Sequence, residues 1–437
     1  MTLDLIIRGA TLANYNPGSP ASGWDIGIQG DRIVAIEPHL EATARTELEA
    51  EGYLVSPPFV DAHFHLDSTL ALTTHPDQKG SPRVNRSGTL LEGISLWGQI
   101  KPDLTAADLH ARAIDYCQWA LARGIQAIRA HVDICDPRLL AVEALLEVKR
   151  QMRPYLELQL VAFPQDGYLR FAQSRQLLDK ALAMGVEVVG GIPHFERTQA
   201  EGVASIRALC ELAAELGLRV DMHCDETDDP HSRYVETLAS ETQRLGLQGR
   251  VTGSHLTSMH SMDNAYVSKL IPLMAEAALG VVANPLINIT LQGRLDSYPK
   301  RRGMTRVPEL MAAGLTVAFG HDCVMDPWYG LGSGHMVDVA HMGLHIAQMT
   351  GIAQMEQCYG AVTDHPARLL GLEDYGIQVG CFADLVILQA RSIPEVLRLR
   401  PVCLTVLRRG QVIAHTPPVI TQLHLGQQSI PVDFLRS

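Results

Sequence analysis

The feature that most constrains the fold of this chain is a regular alternation of short apolar strands with amphipathic helices in its central part. Helical spacing is clear in Ile206, Leu209 and Leu212, which recur near one face. Eight strand-like segments follow one another: Phe59–Asp67, Ile125–Val132, Glu157–Phe163, Val186–Ile192, Arg219–His223, Val251–His255, Gly280–Asn284 and Thr316–Gly320. Eight strands that each precede a helix are the number that closes a (β/α)8 TIM barrel, although an open doubly wound sheet also alternates in this way.

Polar side chains of ligand type recur at the C-terminal ends of most of these strands. They are His63 and His65 at the first strand, Gln165 after the third, His223 and Glu226 at the fifth, His255 at the sixth, and His321 and Asp322 at the eighth. The C-terminal ends of the strands form the face on which barrels build their active sites. This recurrence therefore favours the closed barrel over the open sheet.

A metal site is the chemistry that these residues suggest. His63 and His65 are two residues apart, so they share one face of a strand, although a strand can also carry two histidines by chance. With His223 and Asp322 they make a nitrogen and oxygen site suited to zinc or ferrous iron. Such an ion lowers the pKa of bound water to about 7, which suits hydrolysis near neutral pH. Several ligand-type residues at one barrel mouth are seldom only structural.

The two ends of the chain read differently from the middle. Segments such as Leu5–Ile7, Asp25–Ile28 and Arg32–Ile36 are short β-branched runs separated by turn residues, which is typical of hairpins. Ala383–Leu388 and Thr405–Ile413 repeat this pattern near the other end. We therefore predict a small β-sandwich domain built from residues 1–56 and 377–437, with a metal-dependent hydrolase barrel over residues 57–376.

Composition excludes some classes of partner. The net charge is −12 and no long basic run is present, which argues against a nucleic-acid polymer or an anionic membrane. No apolar run reaches the length of a membrane span. The 8 cysteines are scattered without a C-x-x-C pair, and the first residues lack a signal pattern, so we expect reduced thiols and a cytoplasmic location. A small, nearly neutral nucleobase remains compatible with this composition.

Several motifs together resemble the bacterial cytosine deaminase family of the amidohydrolase superfamily. They are Phe59–Asp67, Phe163–Gly167, Ile192–Glu196, His223–Glu226, Ser254–His260, Asn284–Ile289, Tyr298–Gly303 and Gly320–Tyr329. The resemblance runs nearly from end to end, and the combination of the HxH, HCDE and GHD motifs is highly specific. It implies hydrolytic deamination of a free cytosine-type pyrimidine to the uracil-type base and ammonia, and a homo-oligomeric protein.

The resemblance also implies a role for each matching residue. The metal ligands would be His63, His65, His223 and Asp322, holding one divalent ion, Zn²⁺ or Fe²⁺, per chain. Catalysis would use Glu226 to move protons at the ring nitrogen, His255 to orient the water and Asp322 to accept its proton, while Gln165 holds the amide edge of the base and Leu90, Phe163 and Trp328 form the pocket wall. A single ion is expected because Pro193-His194-Phe195 lacks the lysine that binuclear members use.

Cys323 departs from the family pattern. Members that prefer cytosine usually carry a second acidic residue directly after the strand-eight ligand, where this chain has Cys323. Cysteine is smaller, softer and ordinarily neutral. A reactive nucleophile is one interpretation, but no base partner is evident, so we interpret Cys323 as a thiol in the pocket wall. The change predicts a preference for 5-substituted cytosine, such as 5-methylcytosine.

Other functions and other sites remain as alternatives. An aminohydrolase acting on an aminotriazine of the N-alkylammelide type, or on an isocytosine-like ring, would use the same residues. A barrel that had lost catalysis and served in assembly should first lose its ligands, and none is missing. His131 and His194 fit either a supporting role at the metal or ordinary packing. His341 and His345 fit helix packing, and Lys300–Arg302 fits a loop anchor or subunit contact.

Overall fold

The first strands of the chain form a sheet outside the barrel. In the computed structural model, which describes residues 2–13, 23–74, 81 and 83–435, these strands are β1 (Thr2–Leu12), β2 (Trp24–Gln29), β3 (Arg32–Glu37), β4 (Thr43–Glu49) and β5 (Leu54–Ser56). The pairs β1–β2 and β2–β3 are antiparallel, as the predicted hairpins require. The expectation of hairpins alone was incomplete, because β4 and β5 both pair with β1 in parallel. Residues 1, 14–22, 436 and 437 of this predicted domain lie outside the described residues.

The central region is a single eight-stranded parallel sheet, in the order of the chain. Its strands are β6 (Phe59–Phe64), β7 (Ile125–Asp133), β8 (Glu157–Phe163), β9 (Val188–Gly191), β10 (Arg219–Cys224), β11 (Val251–His255), β12 (Gly280–Ala283) and β13 (Val317–Phe319). A parallel bridge between Phe64 and Asp322 joins the last strand position to the first. The predicted (β/α)8 barrel is therefore confirmed, and the open-sheet alternative is wrong.

Helices follow the barrel strands as the alternation predicts. They are α1 (Ala71–Thr74), α2 (Leu90–Ile100), α3 (Ala106–Ala122), α4 (Leu140–Met152), α5 (Ser174–Met184), α6 (Gln199–Leu216), α7 (Tyr234–Arg244), α8 (Asn264–Glu276), α9 (Pro285–Leu291), α10 (Val307–Ala312), α11 (Met336–Ile346), α12 (Ile352–Gly360) and α13 (Asp364–Leu370), with α14 (Ile393–Leu399) later in the chain. Among the described residues, no helix has the length and apolar character needed to cross a membrane.

Strands from the two ends of the chain share one sheet. The late strands β14 (Leu385–Leu388), β15 (Cys403–Arg408) and β16 (Gln411–His415) continue the first sheet, because β14 pairs antiparallel with β5. One apolar core contains Ile7 and Ile26 from the early strands with Leu385 and Leu407 from the late ones. A further hairpin, β17 (Thr421–Leu425) and β18 (Gln428–Val432), is largely exposed and was not predicted. The predicted boundaries at residues 56 and 376 stay predictions, as do the homo-oligomer and the cellular location.

The barrel interior carries a layer of charge beneath the strand ends. Arg129 on β7 is fully buried, and its Nη1 lies 2.8 Å from Oδ2 of Asp221 on β10. His131 and His223 stand two residues further along the same strands, so they form the next layer towards the barrel mouth. Removing one partner of a buried ion pair costs several kcal/mol, because the remaining charge is left unpaired. This pair therefore fixes β7 and β10 relative to each other below the candidate site.

Candidate active site

His63, His65, His223 and Asp322, the ligand cluster hereafter, meet at the C-terminal mouth of the barrel. Nε2 of His65 lies 3.1 Å from Nε2 of His223. Oδ1 of Asp322 lies 3.5 Å from Nε2 of His65 and 3.8 Å from Nε2 of His63. All four side chains are buried. The four residues that the sequence predicts as metal ligands are thus brought together by three different strands.

Barrel closure itself places Asp322 in this cluster. The backbone N–H of Asp322 donates to the carbonyl of His63 at 2.8 Å, and the N–H of His65 donates to the carbonyl of Asp322 at 3.0 Å. Asp322 has a positive φ of 72°, a left-handed conformation that is uncommon outside glycine. The backbone turn therefore directs a carboxylate towards the histidines at the point where the last strand meets the first.

The polar atoms of the ligand cluster suit a divalent cation. Both ring nitrogens of His63, Nδ1 of His223 and Oδ2 of Asp322 find no hydrogen-bond partner among the described residues. Burial lowers the pKa of His65 to about 3, and burial also lowers the pKa values of His63 and His223. Neutral imidazoles are the form that binds metals, and buried lone pairs without donors are costly unless a cation meets them. The residues present therefore fit a divalent metal ion.

His131 adds a further imidazole that the sequence left undecided. Its ring centroid lies 4.1 Å from that of His63 and 4.6 Å from that of His223. Its two ring nitrogens lack hydrogen-bond partners among the described residues, although Nε2 lies 3.8 Å from Oδ1 of Asp221. His63, His131 and His223 together satisfy the spacing of a metal-binding group. This geometry favours a supporting role at the metal site over ordinary packing for His131.

Glu226 and His255 form a pair beside the ligand cluster. Glu226 is buried, and its Oε1 lies 3.4 Å from Nδ1 of His255. Nε2 of His255 lies 3.8 Å from Oδ2 of Asp322. Burial raises the pKa of Glu226 to about 8, so its carboxyl group is protonated near neutral pH. A protonated carboxyl next to a metal site is equipped to donate a proton to a substrate.

Asp225 fixes the loop that carries Glu226. Its carboxylate accepts hydrogen bonds from the Ser232 hydroxyl at 2.6 Å and from the backbone N–H groups of Tyr234 and Val235 at 3.0 and 2.9 Å. These last two N–H groups stand at the start of α7, where unpaired donors and the helix dipole favour a negative charge. The two acidic residues of the HCDE motif therefore have different positions: Asp225 anchors the loop, and Glu226 faces the cavity.

The cluster opens into a cavity of about 660 Å³. Its lining includes every residue predicted for substrate binding: Leu90, Phe163, Gln165, Cys323 and Trp328. The ring of Phe163 stacks on that of His223, with centroids 4.1 Å apart and planes 15° apart. The ring of Trp328 lies 6.4 Å from that of His65. The structure therefore gathers the predicted wall and three of the predicted ligands, His65, His223 and Asp322, around one space.

Cys323 lies in this wall directly beside Asp322. The thiol is buried, and its Sγ donates to Oδ1 of Asp322 at 3.3 Å. Burial, together with the charges of Asp322 and Asp326, raises the pKa of the thiol. A nucleophilic cysteine needs a lowered pKa, so the structure disfavours that alternative and favours a neutral wall residue.

The remaining sequence candidates take ordinary positions, apart from His194. His194 lines the cavity, and burial lowers its pKa to about 4. Nδ1 of His341 lies 2.8 Å from the Leu397 carbonyl, and Nδ1 of His345 lies 2.7 Å from the His341 carbonyl, which is helix packing. Lys300, Arg301 and Arg302 bond to backbone carbonyls of nearby segments, as a loop anchor does.

The surroundings of His255 contain two residues whose roles were not predicted. Two buried amides, Asn284 and Asn288, lie against its ring. Both residues belong to a motif of the family resemblance, but no role was assigned to either. Their spacing of four residues, across the start of α9, was the available signal, because such residues share a helix face.

Comparison with known proteins agrees with this geometry. A profile described as the Amidohydrolase family matches residues 46–414. The chain belongs to the amidohydrolase family. Amidohydrolases are hydrolases, so the predicted enzyme class and superfamily are confirmed, and the assembly-protein alternative loses its support.

This amidohydrolase is similar to proteins with different substrates. The structure of a 5-methylcytosine deaminase from Klebsiella pneumoniae, liganded with 5-fluorocytosine, is 41% identical with a TM-score of 0.88, covering 94% of this chain and 98% of that one. N-isopropylammelide isopropyl amidohydrolase from Pseudomonas sp. (strain ADP) is 30% identical over 95% of this chain and 98% of its own length. A pterin deaminase from Rhizobium rhizogenes is 31% identical over 91% and 90% of the two chains.

Proposed function

We propose that this amidohydrolase deaminates a free cytosine-type base to the uracil-type base and ammonia, with 5-methylcytosine preferred over cytosine. The observation that carries the proposal is the 41% identity to a 5-methylcytosine deaminase over 94% of the chain. The cavity supports it with a neutral thiol, Cys323, beside the candidate ligand Asp322. A small neutral heterocycle also agrees with the mixed apolar and polar lining of the cavity.

The proposed cofactor is one Zn²⁺ or Fe²⁺ ion held by the ligand cluster. When bound, such an ion lowers the pKa of water to about 7 and so supplies a nucleophile at neutral pH. The unpartnered ring nitrogens of His63 and the unpartnered Oδ2 of Asp322 are the support for this assignment. A single ion is proposed because the segment Pro193-His194-Phe195, at the end of the fourth barrel strand, lacks the lysine that binuclear members use.

Two carboxyl groups of this chain, those of Asp322 and Glu226, account for all proton transfers in the proposed reaction. In the proposed sequence Asp322 takes one proton from water while the water oxygen bonds to C4 of the base, and the protonated Glu226 gives its proton to ring nitrogen N3. The C4–N bond then breaks, and the amino group leaves with that electron pair and the proton from Asp322 as ammonia. Glu226 recovers a proton from the new hydroxyl group, which becomes the C4 carbonyl. The raised pKa of Glu226, about 8, agrees with its starting protonated.

The wall residues would orient the ring over the cluster. Gln165 is proposed to bond the amide edge of the base, while Phe163, Leu90 and Trp328 pack against its faces and edges. Cys323 would then face the C5 side of the ring. Burying one methyl group against an apolar surface contributes about 0.8 kcal/mol, which is about a fourfold gain in kcat/KM.

An aminotriazine carrying an alkylamino group is the second candidate substrate. The 30% identity to N-isopropylammelide isopropyl amidohydrolase, over 95% of this chain, favours it specifically. The same Asp322 and Glu226 would serve, because both reactions replace an exocyclic nitrogen on a heterocycle by oxygen. The two candidates therefore differ in what the wall accepts, rather than in the chemistry of the cluster.

A panel assay tests the proposal. Purified protein loaded with Zn²⁺ or Fe²⁺ is incubated with cytosine, 5-methylcytosine, isocytosine, N-isopropylammelide and pterin, and the released ammonia or amine is measured. The expected result is the highest kcat/KM for 5-methylcytosine, followed by cytosine. Turnover of N-isopropylammelide or pterin with none of either cytosine would reject the proposed substrate. The variant His223→Ala, which lacks one ligand, gives the background rate.

A further inference from the structure

The buried amide of Asn288 has a determined orientation. Its Oδ1 lies 3.0 Å from the backbone nitrogen of Asn284. A backbone N–H only donates, so the side-chain atom that faces it must be the amide oxygen. The amide nitrogen therefore points the other way, where Nδ2 lies 3.0 Å from Nδ1 of His255. Both Asn284 and Asn288 are fully buried, so solvent does not compete for these bonds.

This orientation decides which nitrogen of His255 carries the proton. An amide NH₂ group has only hydrogens to offer, so Nδ1 of His255 must present its lone pair. Nδ2 of Asn284 lies 3.3 Å from Nδ1 and 3.4 Å from Nε2, so this second amide does not distinguish the two nitrogens. Oε1 of Glu226 lies 3.4 Å from Nδ1, where a protonated carboxyl would also donate, so the assignment rests on Asn288. A neutral imidazole has one N–H, which therefore stands on Nε2. Nε2 is the nitrogen that faces Oδ2 of Asp322, at 3.8 Å.

We propose that Asn288 is a positioning residue that holds His255 as its Nε2–H tautomer and directs that N–H towards the Asp322 side of the cluster. His255 then donates a hydrogen bond to an oxygen in the site and has no lone pair with which to remove a proton there. Proton acceptance is left to Asp322. The catalytic part of this inference rests on the proposed function, whereas the tautomer does not.

The variant Asn288→Asp separates orientation from packing. Aspartate keeps the volume and the oxygen that accepts the Asn284 N–H, but it replaces the NH₂ donor with a second acceptor. Nδ1 of His255 then has to carry a proton. We expect kcat to fall on the order of 10²-fold while KM changes little, because general acid–base steps depend on the correct proton position. Ile289→Asp is the matched control, since it adds the same charge to the same helix at a residue that is 42% exposed.

Nitrogen NMR of the zinc-loaded protein, labelled with ¹⁵N-histidine, reads the tautomer directly. The His255 signals are identified by their loss in His255→Gln. In the wild type and in Ile289→Asp, we expect a protonated Nε2 and an unprotonated Nδ1. In Asn288→Asp we expect Nδ1 to be protonated.

Two results would overturn the inference: an Nδ1–H tautomer in the wild type, or unchanged His255 signals in Asn288→Asp. If Asn288→Asp does not fold, the wild-type spectrum alone still decides between the two tautomers. The spectrum needs no substrate, so its failure is distinct from failure of the proposed function. A wild type with the expected spectrum but no activity on cytosines would reject the function and leave the tautomer standing.

Discussion

The floor and the wall of the cavity are built differently. The floor consists of the ligand cluster with Glu226 and His255, which stand on barrel strands or within three residues of their ends and are buried. The wall is mixed: Leu90 and Gln165 are half-buried and belong to α2 and to the loop after β8, whereas Phe163, Cys323 and Trp328 are buried. Strand ends are held by the barrel, whereas βα-loops vary without disturbing it. This difference agrees with the proposed function, in which the floor sets the chemistry and the wall selects the ring.

Removal of the metal is the most severe test of the floor. Chelation should reduce turnover of every substrate to background, because the proposed nucleophile is water activated by the metal. The nearby Cys323 thiol is buried and has a raised pKa, so it does not replace that nucleophile. Reconstitution with Zn²⁺ or Fe²⁺ should restore activity as bound metal, measured by elemental analysis, approaches one ion per chain. Activity that persists in metal-free protein, or a stable occupancy of two ions, would contradict the mononuclear floor.

Glu226→Gln should cause the next largest loss. Glutamine keeps the size of the side chain and removes the proton that a carboxyl with a pKa of about 8 supplies. We expect kcat to fall by more than the roughly 10²–10⁴-fold of a single general acid, because Glu226 serves in two transfers. Metal content and unfolding temperature should stay near those of the wild type. Glu215→Gln, on the exposed side of α6, is the control; a near-normal rate in Glu226→Gln would remove Glu226 from the mechanism.

These floor residues could be predicted from the sequence because their positions follow from the periodicity of single strands and helices. Side chains alternate between the two faces of a strand, which places His63 and His65 on the same face. The alternation of strands and helices predicts a barrel, and His223, His255 and Asp322 follow strands whose C-terminal ends meet at its mouth. The third and sixth strands match their predicted limits, Glu157–Phe163 and Val251–His255.

What the sequence left undecided or missed depends on contacts between distant segments. The ring of His131 on β7 meets that of His223 on β10, three strands further round the barrel, and the bond from Asn288 to His255 joins α9 to β11. The parallel pairing of β4 with β1 is equally non-local, since neighbouring short strands usually predict hairpins. Periodicity identifies a face of an element, but it does not identify the partner of that face.

Cys323→Asp should change selectivity without removing activity. Aspartate would place a charged group where the C5 methyl is proposed to lie. The methyl would lose its apolar contact, and binding of the methylated base would also require partial desolvation of the carboxylate, which is unfavourable. We expect the ratio of kcat/KM for 5-methylcytosine to that for cytosine to fall by about tenfold. Cys323→Ser is the matched control, because it keeps a small neutral donor beside Asp322. An unchanged ratio in Cys323→Asp would mean that this wall position does not contact C5.

Gly93→Ala should have the smallest effect, spread evenly over substrates. A Cβ at Gly93 would stand 2.6 Å from Cδ1 of Trp328, so the tryptophan must shift in the wall. An off-rotamer side chain costs about 0.5–1.5 kcal/mol, so kcat/KM should fall at most about tenfold for both bases. Leu91→Ala, on the same helix at a side chain that is 75% exposed, should leave both values unchanged. A loss of metal in Gly93→Ala would show that floor and wall are not independent.

The proposed division of roles between the floor and the wall is tested most directly by the ratio of kcat/KM for 5-methylcytosine to that for cytosine. In a single reaction, wild-type protein is given equal concentrations of cytosine and 5-methylcytosine, and the formation of uracil and thymine is followed by chromatography. Their initial rates give the ratio of the two kcat/KM values directly. We predict that thymine forms at least as fast as uracil, and about four times faster if the methyl group is fully buried against Cys323. Formation of uracil alone, or of neither product, would contradict the account.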